Sequence, residues 1–270
     1  MLDASWLKVL TFFGVWTVIW LPIALIVSKS IDWQPNQTLN PQQKLVLLAS
    51  LYILTPFVLG WKMRVENLSF ASLGLSLNFK ILVSIVLGLI IALISLFVVF
   101  GLESALNLVN WHFSNLQQLV TLFLPILLLG LTISLIEELI FRGYVFSTLV
   151  QDNSYWFAAI VSSIIFALLH LIWEQKETFP QLPGLWLMGM ILIGARLVND
   201  GNLGLAIGLH AGWICGLTCI DSAQLLTYKQ KDSLLTGINQ QPLAGVAGIF
   251  CLLVTGLIMW LGYDTLGFNY

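Results

Sequence analysis

Long apolar runs separated by short polar stretches dominate the chain. A membrane-crossing helix needs about 20 mainly apolar residues. By that measure the runs at 6–27, 45–61, 81–102, 119–149, 156–173, 183–198, 203–220 and 243–262 predict eight helices. The expected fold is all-α, a polytopic transmembrane helical bundle of about eight spans, with 1–270 forming a single membrane domain. The stretch 28–44, rich in Asn, Gln and Pro and without periodicity, reads as a solvated connection. The stretch 62–80 is the most basic loop. In it Lys62, Arg64 and Lys80 flank a half-apolar Leu-Ser-Phe-Ala-Ser-Leu-Gly-Leu that is expected to lie in the membrane interface.

Composition agrees with that pattern. Apolar residues make up 59% of the chain and charged residues 9%, against roughly 45–50% and 25% in soluble domains. A net charge of -2 gives no basic excess, which excludes a nucleic-acid footprint and a polybasic lipid anchor. The run at 6–27 is too long for a signal-peptide core and lacks a small-residue cleavage site, so it is expected to stay as the first span. The C-terminal Leu-Gly-Phe-Asn-Tyr carries no C-a-a-X signal. Cys215, Cys219 and Cys251 all fall inside apolar runs and read as small packing residues. Counting Lys and Arg by side over eight spans, and setting Arg142 aside as buried, leaves five against five, so charge bias sets no orientation.

Against this background one stretch stands out. The run at 119–149 holds Ser134-Leu-Ile-Glu137-Glu138-Leu-Ile-Phe-Arg142-Gly143, three ionisable groups in an apolar setting. Each charge at a bilayer centre costs roughly 2.5–3.5 kcal/mol, so the three cost about 8–10 kcal/mol before any pairing. Glu138 and Arg142 are four residues apart on one helix face, acid first, and are expected to pair. Glu137 points about 100° away and lacks that partner. An intramembrane carboxylate of this kind is a functional-site candidate. The competing reading is a structural ion-pair knot made of all three. The run has 31 residues, about 46 Å as a helix and too long for one straight crossing, so a break at Pro125 is expected.

Two histidines also lie within spans, His170 in Phe166-Ala-Leu-Leu-His170 and His210 in Gly208-Leu-His210-Ala-Gly-Trp-Ile214. Taken singly, each is better explained as a hydrogen-bonded packing residue. Their depth argues otherwise. Glu137 lies sixteen residues before Asn153 in the polar turn 151–155, and His170 seventeen after it. In an antiparallel hairpin both side chains then sit about 25 Å from that turn. The span 183–198 is short, so a sunken turn at 199–202 brings His210 toward the same level.

A carboxylate and two histidines inside a membrane fit two chemistries. In one, Glu137 takes a proton from water while histidine aids attack or stabilises an oxyanion. The other is metal binding. Di-metal bundles need about four carboxylates with a Glu-x-x-His repeat, and the chain has neither that set nor H-E-x-x-H. No metal and no cofactor are expected.

These residues resemble the CAAX protease and bacteriocin-processing family of intramembrane glutamic proteases, also called the Abi family. The matching motifs are E-E-x-x-x-R at Glu137, Glu138 and Arg142, F-x-x-x-H at Phe166 and His170, and the later His210 in Leu-His-Ala-Gly-Trp, over about 125–219. The resemblance implies that Glu137 and His170 activate water, that Glu138 and Arg142 support them, and that His210 helps form the oxyanion site with an Asn four residues later. Position 214 is Ile, so that amide donor is missing; Trp213 carries the nearest alternative N–H.

The leading expectation is therefore a membrane-embedded endopeptidase acting on a peptide bond near the membrane surface. Its partners are the lipid bilayer and a peptide or membrane-protein substrate, prenylated peptides and bacteriocin-type peptides included. A prokaryotic plasma membrane is the expected setting, with a thylakoid or other internal membrane also compatible. The alternative, favoured by Ile214, is a non-proteolytic member of the same fold acting as a partner-binding, scaffolding or immunity protein.

Overall fold

The computed structural model describes residues 4–33, 39–172 and 175–266. Parts of the predicted connection 28–44 and of the span 156–173, and the last four residues, lie outside the described residues. The chain forms α1 (Ala4–Ser30), α2 (Pro41–Val65), α3 (Phe79–Ala105), β1 (Val109–Trp111) and α4 (Leu116–Glu138). A π-helical segment (Leu139–Val145) leads into α5 (Phe146–Leu149). Then come α6 (Tyr155–Leu169), α7 (Gln175–Thr178), α8 (Leu182–Val198), α9 (Gly204–Ser222), β2 (Leu226–Tyr228) and α10 (Val246–Leu266). Among the described residues seven helical stretches are long and apolar enough to cross a membrane, and α10 contributes a further apolar helix where the eighth was predicted. The protein is an all-α, multi-pass integral membrane protein.

Helix starts follow local chemistry. Asn40 and Gln43 form a reciprocal capping box at α2, Asn78 accepts from the Ile81 N–H at α3, and Ser154 accepts from Phe157 at α6. Each removes an orphan donor where the chain enters a span.

The predicted break at Pro125 does not occur. Proline removes one intrahelical donor, which a packed membrane helix tolerates, and α4 runs through it. The irregularity comes later, as the π-helical turns around Arg142. Segments of this kind shift backbone hydrogen bonding and concentrate at functional sites. Two side chains serve carbonyls there: Ser162 Oγ donates to Phe141 O at 2.9 Å, and the Arg196 guanidinium donates to Arg142 O.

Packing is closest between α3 and α9. Gly204, Gly208, Gly212 and Gly216 recur every fourth residue and line one face of α9. A Cβ on Gly208 would fall 2.1 Å from Ile85 O, and one on Gly88 would fall 2.5 Å from Leu205 O. Small residues that let backbones touch are the usual means of helix association where lipid removes the hydrophobic drive. The seam buries α9, the helix that carries His210.

Smaller features add detail. Leu73, in the loop expected at the interface, is buried, and its carbonyl lies 3.1 Å from a Cβ built on Gly143. The loop thus packs on the π segment. Lys62 and Arg196 are also buried, so the five-against-five charge count included groups that are not in loops. Finally, β1 and β2 pair antiparallel, Val109 opposite Tyr228, and tie two loops together at one end of the bundle. Burial, with Glu103 nearby, pushes the Tyr228 phenol above its ordinary range.

Candidate active site

Glu138 is the hub. Its Oε1 accepts from Arg142 Nη1 at 2.8 Å and from His210 Nδ1 at 2.8 Å. The expected i,i+4 pair is therefore present and extends to a second helix. Arg142 also places its guanidinium carbon 4.3 Å from the centre of the Phe166 ring and donates to Gly189 O at 3.4 Å. Glu138 is 0% and Arg142 1% exposed. Charges so buried are tolerable only when paired and hydrogen-bonded, and these partners come from the π segment, α6, α8 and α9.

Glu137 has a different environment. Its partner is Tyr52 on α2, whose hydroxyl donates to Oε1. Oε2 lies 3.6 Å from His210 Nε2 and is buried without a hydrogen-bond partner. A buried polar atom left in that state costs about 1–3 kcal/mol, more when charged. Such an atom in a native fold calls for an explanation.

His170 sits where α6 ends, in a short 3-10 turn (His170–Ile172). A carbonyl only accepts, so its contact with Phe166 O at 2.8 Å places a proton on His170 Nδ1. In a neutral ring Nε2 then carries the lone pair. Glu137, His210 and Arg142 all act on this ring electrostatically. Phe166 separates the histidines, with its ring 4.6 Å from His170 and 5.9 Å from His210, edge-on to both. All five predicted site residues, from three separate spans, are thus gathered around one aromatic ring and two carboxylates.

The possible donors near position 214 are now located. The Trp213 indole N–H is taken by Ser95 Oγ at 3.1 Å on α3, so Trp213 does not serve the carboxylate cluster. Ile214 packs on α4, its Cγ2 3.5 Å from a Cβ built on Gly130. Ser134, one turn before Glu138, shares the buried face of α4 with Gly130, and its hydroxyl has no partner. Cys215 and Cys219 are buried free thiols with sulfurs 4.0 Å apart. Among the described residues no group of three or more His, Cys, Asp or Glu side chains is arranged to hold a metal ion.

Two contributors escaped the sequence reading. Tyr52 is a single phenol in the second span, with no motif around it. Arg196 was counted as a loop charge, but it binds Arg142 O, Ser147 Oγ at 2.8 Å and Gly201 O at 3.0 Å, joining the π segment to the turn before α9.

Residues 117–215 match the family model of the Rce1-like type II CAAX prenyl endopeptidases. The match covers less than half of the chain. It contains Glu137, Glu138, Arg142, His170, His210 and Ile214 and leaves out α1–α3. No curated protein and no solved structure gives a match. An Rce1-like segment implies, in general terms, a membrane-embedded endopeptidase with a peptide substrate.

Proposed function

We propose that the protein is an intramembrane glutamic endopeptidase of the CAAX type, hydrolysing a peptide bond near the membrane surface. The observation that carries this reading is the Glu137 carboxylate, buried, with Oε2 unpartnered and 3.6 Å from His210 Nε2. A water held by Glu137 Oε2 and His170 Nε2 gives a proton to Glu137 as its oxygen attacks the scissile carbonyl. His210 stabilises the oxyanion through Nε2. Because Nδ1–H is given to Glu138, the ring must carry both protons to do so. Arg142 orients Glu138. Collapse of the intermediate breaks the C–N bond, with the proton on Glu137 passing to the leaving amine. Neither metal nor cofactor enters this scheme.

Prenylated C-terminal peptides, bacteriocin leaders and membrane proteins all fit as substrates, and a prokaryotic plasma membrane is the setting we favour. The test is cleavage of a membrane-peptide library by purified protein in detergent, with a chelator control, beside Glu137→Gln. Chelator-insensitive cleavage that falls about 1000-fold, within the range for loss of a general base, supports the reading. Undiminished cleavage by Glu137→Gln removes it.

Ile214 favours a second reading, a non-proteolytic member of the same fold that binds a partner. It predicts no cleavage by the wild-type protein and a function that survives Glu137→Gln.

A further inference from the structure

The α1–α2 hairpin lies outside the family match, yet it supplies the hydroxyl that holds Glu137. Tyr52 is fixed on its helix by neighbours. The Trp16 indole donates to Leu51 O at 3.3 Å and the Trp20 indole donates to Ser50 Oγ at 3.0 Å, so α1 grips α2 immediately before Tyr52. The phenol has one proton to give, and gives it to a carboxylate rather than to a backbone carbonyl.

A carboxylate with one anchored oxygen can no longer exchange its two oxygens by rotation. Oε1 is committed to the phenol, while Oε2 faces His210 Nε2 and has no other partner. The geometry points to Tyr52 as a positioning residue that assigns the two oxygens of Glu137 separate tasks: Oε1 is the anchor, and Oε2 receives the proton from water. The proposal rests on the glutamate-base reading above. It makes the N-terminal hairpin part of the working site. The bland alternative is that the bond only glues α2 to α4.

Tyr52→Phe keeps the ring and removes only the hydroxyl. Positioning predicts that kcat falls about 10- to 100-fold, the range for losing one hydrogen bond to a charged group, with KM and melting temperature nearly unchanged. It also predicts that Tyr52→Phe costs nothing further in a Glu137→Gln background, since residues acting through one group are non-additive. A glue role predicts the reverse, a lower melting temperature with kcat per folded molecule intact, and overturns the proposal. Full activity in Tyr52→Phe alongside loss in Glu137→Gln sinks the Tyr52 assignment and leaves the base standing. Full activity in Glu137→Gln, or none in the wild type, removes both. Infrared spectroscopy reads the contact without turnover: the carboxylate band that vanishes in Glu137→Gln must shift in Tyr52→Phe, and an unshifted band rejects the proposal.

Discussion

Among the described residues two part-buried tyrosine–glutamate bonds differ in their surroundings. Tyr144, in the π segment, donates to Glu66 Oε1 at 2.8 Å, and Tyr52 donates to Glu137 Oε1. Glu66 has cations around it: Lys62 Nζ lies 2.9 Å from Oε1 and Lys8 Nζ 3.8 Å from Oε2. The second of these is a charge contact too long for a hydrogen bond, and Oε2 makes none. Among the described residues Glu137 has no Lys or Arg ion pair, and its remaining oxygen faces an imidazole. Glu66 thus has its carboxylate occupied by a phenol and two ammonium groups. Glu137 has one oxygen on a phenol and the other without a hydrogen-bond partner. The same pair of side chains makes a structural tie in one place and a candidate base in the other.

The sharpest way to break that comparison is to neutralise both acids. Glu137→Gln is expected to reduce cleavage about 1000-fold, while Glu66→Gln should leave turnover within about threefold, because Glu66 touches no reacting group. Equal losses in both, measured as kcat/KM on one peptide, would erase the distinction. Arg142→Ala comes next. It leaves Glu138 buried without its cation, and removing one partner of such a pair costs about 3–5 kcal/mol of stability, to be read by thermal unfolding in detergent.

Ile214→Asn is expected to raise cleavage by about 100-fold, the low end of what one oxyanion donor is worth. If it lowers cleavage instead, the oxyanion site is not at this level of α9. On the structural side of the comparison, Glu66→Gln should cost about 1–2 kcal/mol of stability through weakened charge-assisted bonds. The smallest effect belongs to Ser162→Ala. Losing the donor to Phe141 O should lower stability by about 1 kcal/mol, with a modest drop in kcat as the π segment relaxes. No change in unfolding would mean that this carbonyl finds another donor.

Much of this was legible along the chain, for reasons particular to membranes. Apolar run length is set by bilayer thickness, so all eight helices could be placed from the sequence. The i,i+4 spacing of Glu138 and Arg142 fixed their pairing because both are on one helix.

What failed involved contacts between distant segments. Pro125 was expected to break α4, because a helix loses a hydrogen bond there; α4 runs through it, and the irregularity lies at Leu139–Val145. The glycine spacing of α9 was present in the sequence but went unread, and it is what brings α9 onto α3. Trp213 was an available donor until the fold gave its N–H to Ser95.

The sequence by itself determined a multi-pass helical bundle and the residue types of its candidate site, since hydrophobic length and helical spacing are local quantities. Only the tertiary structure decided that Glu138 would be shared by Arg142 and His210, that Arg196 would hold the π segment, and that Tyr52, eighty-five residues away, would take one oxygen of Glu137. Those are choices of partner between helices. They follow from which faces the bundle turns inward, and no spacing along one helix encodes them.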